Sequence, residues 1–588
     1  MNNEFDNPIW GKEEANIGLK SIKRFFRVLP NNRKGSFLFL TIFMVAATLL
    51  ELLGIGLVLP VVGFISDYEG LSESPYLIKI INLLGSPTKE EMIIYSLALF
   101  ALVFLLKNIF IACLIYLKER FIFQVKRELT MVLYSKYLRS SYSFHSSNNS
   151  SEIMRNLVSL PIEFEKLLTV LLSMFSELLV LFGVLTLFVI FEPIPSLIMV
   201  SILFVLSIFY YLFFKSKSYE WGIQRQFHQG RQFQSISESL GAIRDIKSLK
   251  KEDFFIDWVR KHVSKVGEVA LFEKILLAMP RLWLELCIVF SFVGLVLSIA
   301  FFSESKDLVV PTLAVFAFAA VRLIPSATIL LSGSQSIRIR LAPLSILEKE
   351  LRDSTFNEPH VSGTDIPFKK TITLKNISFS YSGEKNIFNN LNLEIKKGEF
   401  IGIMGESGSG KSTLVDLILG FYKPIKGRIL VDEVDILEEE YKIFRKAGIV
   451  SQDIFLLDRS IAENISLGEK EEIDFYSLDN AINKAQLSSY IDGLPEGYFS
   501  EVGERGVQIS GGQLQRIGIA RALYNDPDIL VFDEATSALD ESTASSLMET
   551  ILSFKGKKTM IFISHNKNSL KQCDKVIEVK NGKVLYTN

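Results

Sequence analysis

Six apolar runs, near residues 36–64, 92–117, 167–191, 194–215, 283–303 and 308–335, constrain this chain more than any other feature. Each is long enough for a helix rising about 1.5 Å per residue to cross roughly 30 Å of hydrocarbon. Few charges interrupt them: Glu51, Lys107, Glu177, Glu285 and Arg322. From about residue 366 onward the composition changes to the mixed usage of a soluble α/β domain. At 588 residues the chain is also long for a single folding unit. The sequence therefore predicts a leader over 1–35, a membrane domain of six spans over 36–350, a linker over 351–365 and a soluble domain over 366–588.

Composition narrows the remaining classes. A formal net charge of −1 argues against nucleic acid as the main partner, because binding a phosphate backbone needs a basic surface. Three cysteines, Cys113, Cys287 and Cys573, form neither a disulfide framework nor a metal-ligand spacing. The first apolar run begins too late and is too long for a signal peptide. The leader ahead of it is rich in cations, with Lys12, Lys20, Lys23, Arg24, Arg27, Arg33 and Lys34, whereas the expected outer loops carry only Lys79, Lys89 and Lys306. That bias puts the leader on the cytoplasmic side.

Two connections, 118–166 and 216–282, are long and mix charged with apolar residues in the manner of helices that continue past the membrane. Ser150–Val158 and Gly241–Ser248 lie near their middles, where a helical hairpin is expected to turn; solvated loops are the plainer alternative. In the first outer loop, the run from Tyr76 to Leu84 between Pro75 and Gly85-Ser86-Pro87 reads as a short helix. It either lies at the outer interface or packs on the ends of the spans.

The soluble half holds the strongest local signal. The apolar run Phe400-Ile401-Gly402-Ile403-Met404 leads into Gly405-Glu406-Ser407-Gly408-Ser409-Gly410-Lys411-Ser412-Thr413, and Leu414–Leu419 follows. Strand, glycine-rich loop and helix in that order cradle phosphate oxygens with backbone N–H groups, bring Lys411 to the β- and γ-phosphates and offer the Ser412 hydroxyl to Mg²⁺. A second apolar run, Ile529-Leu530-Val531-Phe532, ends in Asp533-Glu534. Asp533 is placed to support Mg²⁺ and Glu534 to polarise the attacking water. ATP and Mg²⁺ are the expected cofactors, and cytoplasmic ATP gives a second reason to orient both ends of the membrane domain toward the cytoplasm.

The run Ile509-Ser510-Gly511-Gly512-Gln513-Leu514-Gln515-Arg516 resembles the signature of ABC transporters, with Ile in place of its first Leu. The resemblance implies roles for further residues. Tyr381 matches the aromatic that stacks on adenine, and Gln452 the glutamine that links the metal and γ-phosphate to the membrane domain. His565 matches the switch histidine, Ser537-Ala538-Leu539-Asp540 the loop facing a partner subunit, and Glu501-Val502-Gly503-Glu504-Arg505-Gly506 a coupling loop typical of exporters. In this family the signature of one subunit, here Ser510, Gly511, Gly512 and Gln513, closes over ATP held by the phosphate loop of the other. A chain with one membrane domain and one cassette is therefore expected to form a symmetric homodimer. The implied fold is multidomain: a six-helix all-α transmembrane domain of ABC exporter type, then an α/β P-loop ABC ATPase domain. It implies an ATP hydrolase coupled to transport in the cytoplasmic (inner) membrane.

The cargo is read from the membrane half. Lys107, Arg281 and Arg322 are cations in or beside spans, where charge is costly unless it faces protein or water, and they suit an anionic headgroup. Alternatively they pair with Glu51, Glu177 and Glu285. Glu51 with Pro60, the outer segment 76–84, Met279-Pro280-Arg281-Leu282 and Val321-Arg322-Leu323-Ile324-Pro325-Ser326 resemble bacterial ABC flippases for lipid-linked oligosaccharides. That resemblance implies flipping of a polyprenyl-diphosphate-linked glycan, with Arg281 and Arg322 receiving the pyrophosphate and the outer helix engaging the membrane lipid tail. Export of peptides or amphiphilic drugs is the main alternative, and an ATP-gated channel the remote one.

Overall fold

The computed structural model describes residues 19–57, 88–191, 193–302, 309–352, 368–381, 386–436, 447–503, 506, 509–536, 539 and 541–587. The expected outer helix at 76–84, Pro60, Glu504, Arg505, Ser537, Ala538 and Asp540 lie outside them. The chain divides into two compact units: Met1–Arg139 with Asn148–Phe356, and Ser140–Ser147 with Asn357–Asn588.

The first unit is helical. A short helix, α1 (Leu19–Val28), precedes α2 (Lys34–Gly56) and α3 (Lys89–Leu138). After an excursion through α4 (Tyr142–Ser147), which belongs to the second unit, come α5 (Ser150–Phe191) and α6 (Pro193–Gly241). A short α7 (Ile243–Leu249) is followed by α8 (Glu252–Phe302) and α9 (Val309–Arg352). Among the described residues, Asn31–Gly54, Lys89–Leu138 and Ser150–Thr186 are long and apolar enough to cross a membrane. The boundaries follow local chemistry. The Thr88 side chain and Glu91 form a reciprocal cap at the start of α3, with Thr88 N–H donating to Glu91 Oε2 at 2.8 Å.

The long helices run well past the apolar runs, as the mixed connections predict. The second hairpin turns at Ala242, beside α7, inside the expected Gly241–Ser248. The first turns earlier than expected: Ser150–Val158 is helical, and the reversal falls at Arg139–Asn149 around α4. The reason is the double use of short polar side chains. Asn149 Oδ1 accepts from Ser151 N–H at 2.9 Å, and Asn149 O accepts from Glu152 N–H at 2.9 Å. The polar stretch thus caps a helix instead of forming a loop.

Where α5, α6, α8 and α9 meet, four charges alternate. Arg225 donates to Glu163 at 3.0 Å and to Glu273 at 2.7 Å; Arg340 donates to Glu273 at 3.1 Å and lies 3.5 Å from Glu163. The side chains are 5 % (Glu163), 10 % (Glu273), 7 % (Arg340) and 17 % (Arg225) exposed, so each charge depends on its neighbours for solvation. Close approach here also needs Gly222, where a Cβ would meet Ile339 O at 2.3 Å.

The second unit is α/β. An antiparallel sheet in the order β2-β1-β4-β5 comprises β1 (Thr371–Phe379), β2 (Phe388–Lys396), β4 (Lys426–Val431) and β5 (Val434–Asp435). A larger sheet runs β10-β9-β3-β8-β7-β6, with β3 (Phe400–Met404), β6 (Ala447–Val450), β7 (Ile529–Asp533), β8 (Thr559–Ile563), β9 (Lys575–Lys580) and β10 (Lys583–Thr587). From β9 to β6 neighbouring strands are parallel; β10 is antiparallel. Strands buried on both faces read as unbroken apolar runs, and their side chains divide between two cores. Phe400, Phe532 and Phe562 enter one core, while Ile401, Val531 and Ile561 enter the other. Helix α4 contributes Tyr142, whose ring lies 5.1 Å from Phe421, and Ser146, whose Oγ accepts from Tyr422 OH at 2.9 Å.

Neutralising Glu273 leaves Arg225 and the buried Arg340 to share one carboxylate, Glu163. Glu273→Gln is expected to destabilise the membrane unit by about 3 kcal/mol, read as a lowered thermal unfolding midpoint in detergent, whereas Glu268→Gln on the exposed face of α8 should leave it within experimental error.

Candidate functional site

Strands β3, β7 and β8 are neighbours and parallel, so their carboxyl ends open side by side, the position at which α/β sheets bind ligands. From β3 the chain enters the phosphate loop and then α10 (Lys411–Ile418). Two glycines are required there for different reasons. At Gly405 a Cβ would meet Val579 O at 2.6 Å, and Gly410, which starts α10, has φ +103°. Lys411 is buried and folded into its own loop, with Nζ donating to Gly405 O at 3.0 Å and Glu406 O at 3.1 Å and lying 3.4 Å from His565 Nε2.

From β7 come Asp533 and Glu534, and the end of β8 leads to His565. Ser412 Oγ, on the first turn of α10, lies 3.5 Å from Asp533 Oδ2. Glu534 Oε1 is 2.8 Å from His565 Nε2. Glu534 sits at φ +50°, and its N–H donates to Ile563 O at 3.1 Å. A non-glycine residue held in the left-handed region by the adjacent strand fits a residue placed for chemistry. Burial, reinforced by the neighbouring Glu534 charge, raises the Asp533 carboxyl above its usual range.

Tyr381 stands beside the loop, its hydroxyl 2.7 Å from Thr413 Oγ1 and its exposed ring edge-on to Phe379 and Tyr422. Gln452 follows β6 and is exposed; its carbonyl accepts from Gln515 Nε2 at 3.5 Å. No described contact brings the Gln452 side chain to Ser412 or Glu534.

The signature opens a separate helix. Ser510 caps α14 (Gly511–Leu523) and shares a capping box with Gln513. Among the described residues three short α-helices lie between, α11 (Ile461–Ser466), α12 (Phe475–Lys484) and α13 (Ser488–Asp492), and α15 (Glu541–Leu552) follows β7. A cleft of about 490 Å³ spans Ser510, Gly511, Gly512, Gln513, Arg516 and the start of α15, and its lining includes no residue of the phosphate loop. Within one chain the signature and the loop thus face different spaces.

In the helical unit, Lys107 Nζ lies 4.2 Å from the centre of the Phe104 ring, and Arg281 Nε donates to Glu285 Oε1 at 2.8 Å on the same helix. Glu177 accepts from Ser326 Oγ at 2.7 Å. Arg322 falls on α9, its side chain outside the described ones. Among the described residues no contact joins Lys107 to Arg281, and the Arg281 side chain is 72 % exposed beside Glu285.

A phosphate loop with an acidic pair and a histidine on adjoining strand ends, in a chain that also carries a long-helix membrane unit, defines a membrane-bound nucleotide-binding protein. The family follows from two matches: 37–321 match the ABC transporter transmembrane region and 388–537 the ABC transporter model. The chain is an ABC transporter with fused transmembrane and ATP-binding domains. It is a multi-pass protein of the inner membrane with its ATP-binding domain in the cytoplasm. Heterocyst differentiation ATP-binding protein HepA of Nostoc sp. is 33 % identical over 375 residues, 61 % of this chain and 59 % of that protein. Leukotoxin translocation ATP-binding protein LktB of Mannheimia glucosida is 46 % identical over 219 residues, and mitochondrial iron-sulfur clusters transporter ATM1 of Candida glabrata 44 % over 227. Those two matches cover 36 % and 38 % of this chain, and 30 % and 31 % of the relatives. The chain thus spans about three fifths or less of the length of these curated relatives. A bacterial Atm1-family ABC exporter solved with ATP bound shares the fold, with a TM-score of 0.73 at 23 % identity over 96 % of this chain and 95 % of that one.

ATP and Mg²⁺ are the cofactors of such a domain, and the residues fit them. The Ser409 hydroxyl is buried in the loop with no partner among the described residues, a donor left for phosphate oxygen. Lys411 caps loop carbonyls that a nucleotide would release it from, and Ser412 with Asp533 offers oxygens of the kind Mg²⁺ prefers.

Asp416 carries no signal in the sequence, yet burial and then the charge of Asp533 push its carboxyl up to about 6. Its folded value lies above the unfolded one, so the folded state keeps a proton between about pH 4 and 6 that the unfolded chain has lost, and stability falls as pH rises through that window. Asp416→Asn is expected to raise the unfolding midpoint of the ATP-binding domain at pH 7 and to flatten its pH dependence between about 4 and 6. Lys411→Ala should abolish nucleotide retention, whereas Glu534→Gln should keep binding and lower hydrolysis by about 10²-fold or more, measured by nucleotide filter binding and phosphate release.

Proposed function

We propose that the chain uses ATP to export an amphiphilic or peptide substrate across the cytoplasmic membrane. One observation carries the reading: Lys411, Asp533, Glu534 and His565 converge at adjacent strand ends in a chain that also carries the transmembrane region. Bound ATP supplies a phosphoanhydride bond whose cleavage is strongly favourable. Glu534 orients the attacking water and takes up its proton, His565 holds the Glu534 carboxylate in place, and Lys411 neutralises phosphate charge. Assigned thus, the catalytic group is Glu534 with His565 and Gln452, and the nucleotide is held by residues 405–413, Tyr381 and Asp533.

The separation of the signature cleft from the phosphate loop supports a composite site. Two chains, each giving its signature to the other's nucleotide, form a symmetric homodimer with six spans per chain, within boundaries near 36–350 and 366–588. The substrate class rests on kinship. The LktB relative is described as acting in leukotoxin translocation and the ATM1 relative as an iron-sulfur clusters transporter, neither of them a lipid-linked glycan. A polyprenyl-diphosphate-linked oligosaccharide is the narrower reading, resting on Lys107, Arg281 and Arg322, and the Arg281–Glu285 pair weakens it.

In vesicles containing the full chain, ATP is expected to drive accumulation of a peptide or amphiphile, and that substrate should stimulate ATPase activity. Glu534→Gln should remove both. Stimulation by a polyprenyl-diphosphate glycan alone would select the narrower reading, and ATP hydrolysis that moves none of the three would contradict export.

A further inference from the structure

An apolar pocket of about 380 Å³ lies in the helical unit, outside everything assigned above. Its walls come from four elements: Phe25 on α1, Phe37 on α2, Leu171 and Phe175 on α5, and Ile337 and Leu341 on α9. The one hydroxyl in its lining, on Thr41, donates to its own helix at Phe37 O. The pocket offers no polar partner, so an occupant must be a hydrocarbon chain or ring, and the volume falls within the range of small-ligand sites.

Depth narrows the occupant. Phe37 begins the first apolar run, Leu171 and Phe175 begin the third, and Ile337 and Leu341 lie just beyond the sixth. All three places are the cytoplasmic ends of their apolar runs, given that the leader and the connection 118–166 are cytoplasmic. The pocket is therefore level with the cytoplasmic leaflet where acyl chains meet headgroups.

Charge narrows it further. Phe25 and Phe26 sit between Arg24 and Arg27, and Leu344, also in the lining, lies one turn before Glu348. Around Glu348 gather Arg24 at 3.3 Å, Arg27 at 3.1 Å and Arg352 at 3.6 Å. Arg27 and Arg352 thus share the single carboxylate of Glu348. Arg27 and Arg352 keep 59 % and 71 % of their side-chain surface exposed, so both can turn their remaining N–H donors toward a phosphate while Glu348 holds the Nη1 of each.

We infer that this is a binding site for an anionic phospholipid of the cytoplasmic leaflet, one acyl chain in the pocket and the phosphate on Arg27 and Arg352. The leaflet supplies such lipids at high local concentration, and each cation near its surface favours them. The site needs only that α2, α5 and α9 span the membrane; it does not depend on which substrate is exported.

The full chain, held in micelles with equal amounts of phosphatidylglycerol and phosphatidylcholine, tests this by lipid extraction and by a phosphatidylglycerol bearing a photoreactive acyl chain. The wild type should retain phosphatidylglycerol about tenfold over phosphatidylcholine, with adducts on α1, α2, α5 and α9 at the pocket residues. R27Q/R352Q should bring the ratio near one and keep acyl adducts, while Thr41→Trp should suppress the adducts by filling the pocket. Basal ATPase activity in detergent reports that the variants fold; should either fail, the adduct map and retention ratio of the wild type decide alone. Equal retention of the two lipids by the wild type, adducts elsewhere, or a pocket closed to lipid by a second copy of the chain would each overturn the site.

Discussion

Hydrocarbon offers no hydrogen-bonding partner to the backbone, so a segment that crosses it must satisfy every N–H and C=O within its own helix. Such a helix has no reason to stop at the membrane surface. At about 1.5 Å per residue, the 50 residues of α3 and the 51 of α8 run far beyond the roughly 30 Å of hydrocarbon. The excess lies in the cytoplasmic connections, and the helices there need a different adhesive. The alternating charges of Glu163, Arg225, Glu273 and Arg340 provide one that binds four helices at defined registers. Apolar contacts would permit sliding; an alternating quartet does not.

The cytoplasmic unit answers a different demand, the gathering of groups far apart in sequence around a phosphate. Parallel strand order does this. With β3, β8 and β7 side by side, Lys411, His565 and Glu534 meet although they are scattered along the domain. The signature is excluded from that meeting because α14 starts in a cleft of its own. The proposed pairing of two chains rests on this separation, each chain giving its signature to the other's nucleotide.

The features legible in the sequence are those in which chemistry and spacing are local. The phosphate loop, the Asp533-Glu534 strand end and the signature Ile509–Arg516 each occupy a few adjacent residues, and the long apolar runs report helices directly. The Glu534–His565 contact, the Asp416 carboxyl beside Asp533 and the charge quartet depend on strand order and helix packing, which a single sequence does not encode visibly. The displaced first hairpin has another cause. Asn149 and Ser150 are equally good turn residues and helix caps, and only the hydrogen bonds of Asn149 separate the two. Charge inside a span is similarly ambiguous: the sequence offers Arg281 as a ligand for an anion or as a partner for a carboxylate, and Glu285 stands one turn on.

A site shared between two chains is the claim on which energy coupling rests. It is tested most directly by placing cysteines at Ser409 and Ser510 in full-length Glu534→Gln protein whose native Cys113, Cys287 and Cys573 have been replaced, then oxidising with and without ATP. A composite site predicts a disulfide-linked dimer that forms with ATP and Mg²⁺ and is sparse without them. A monomer carrying an internal disulfide, or no cross-link at saturating ATP, would contradict it.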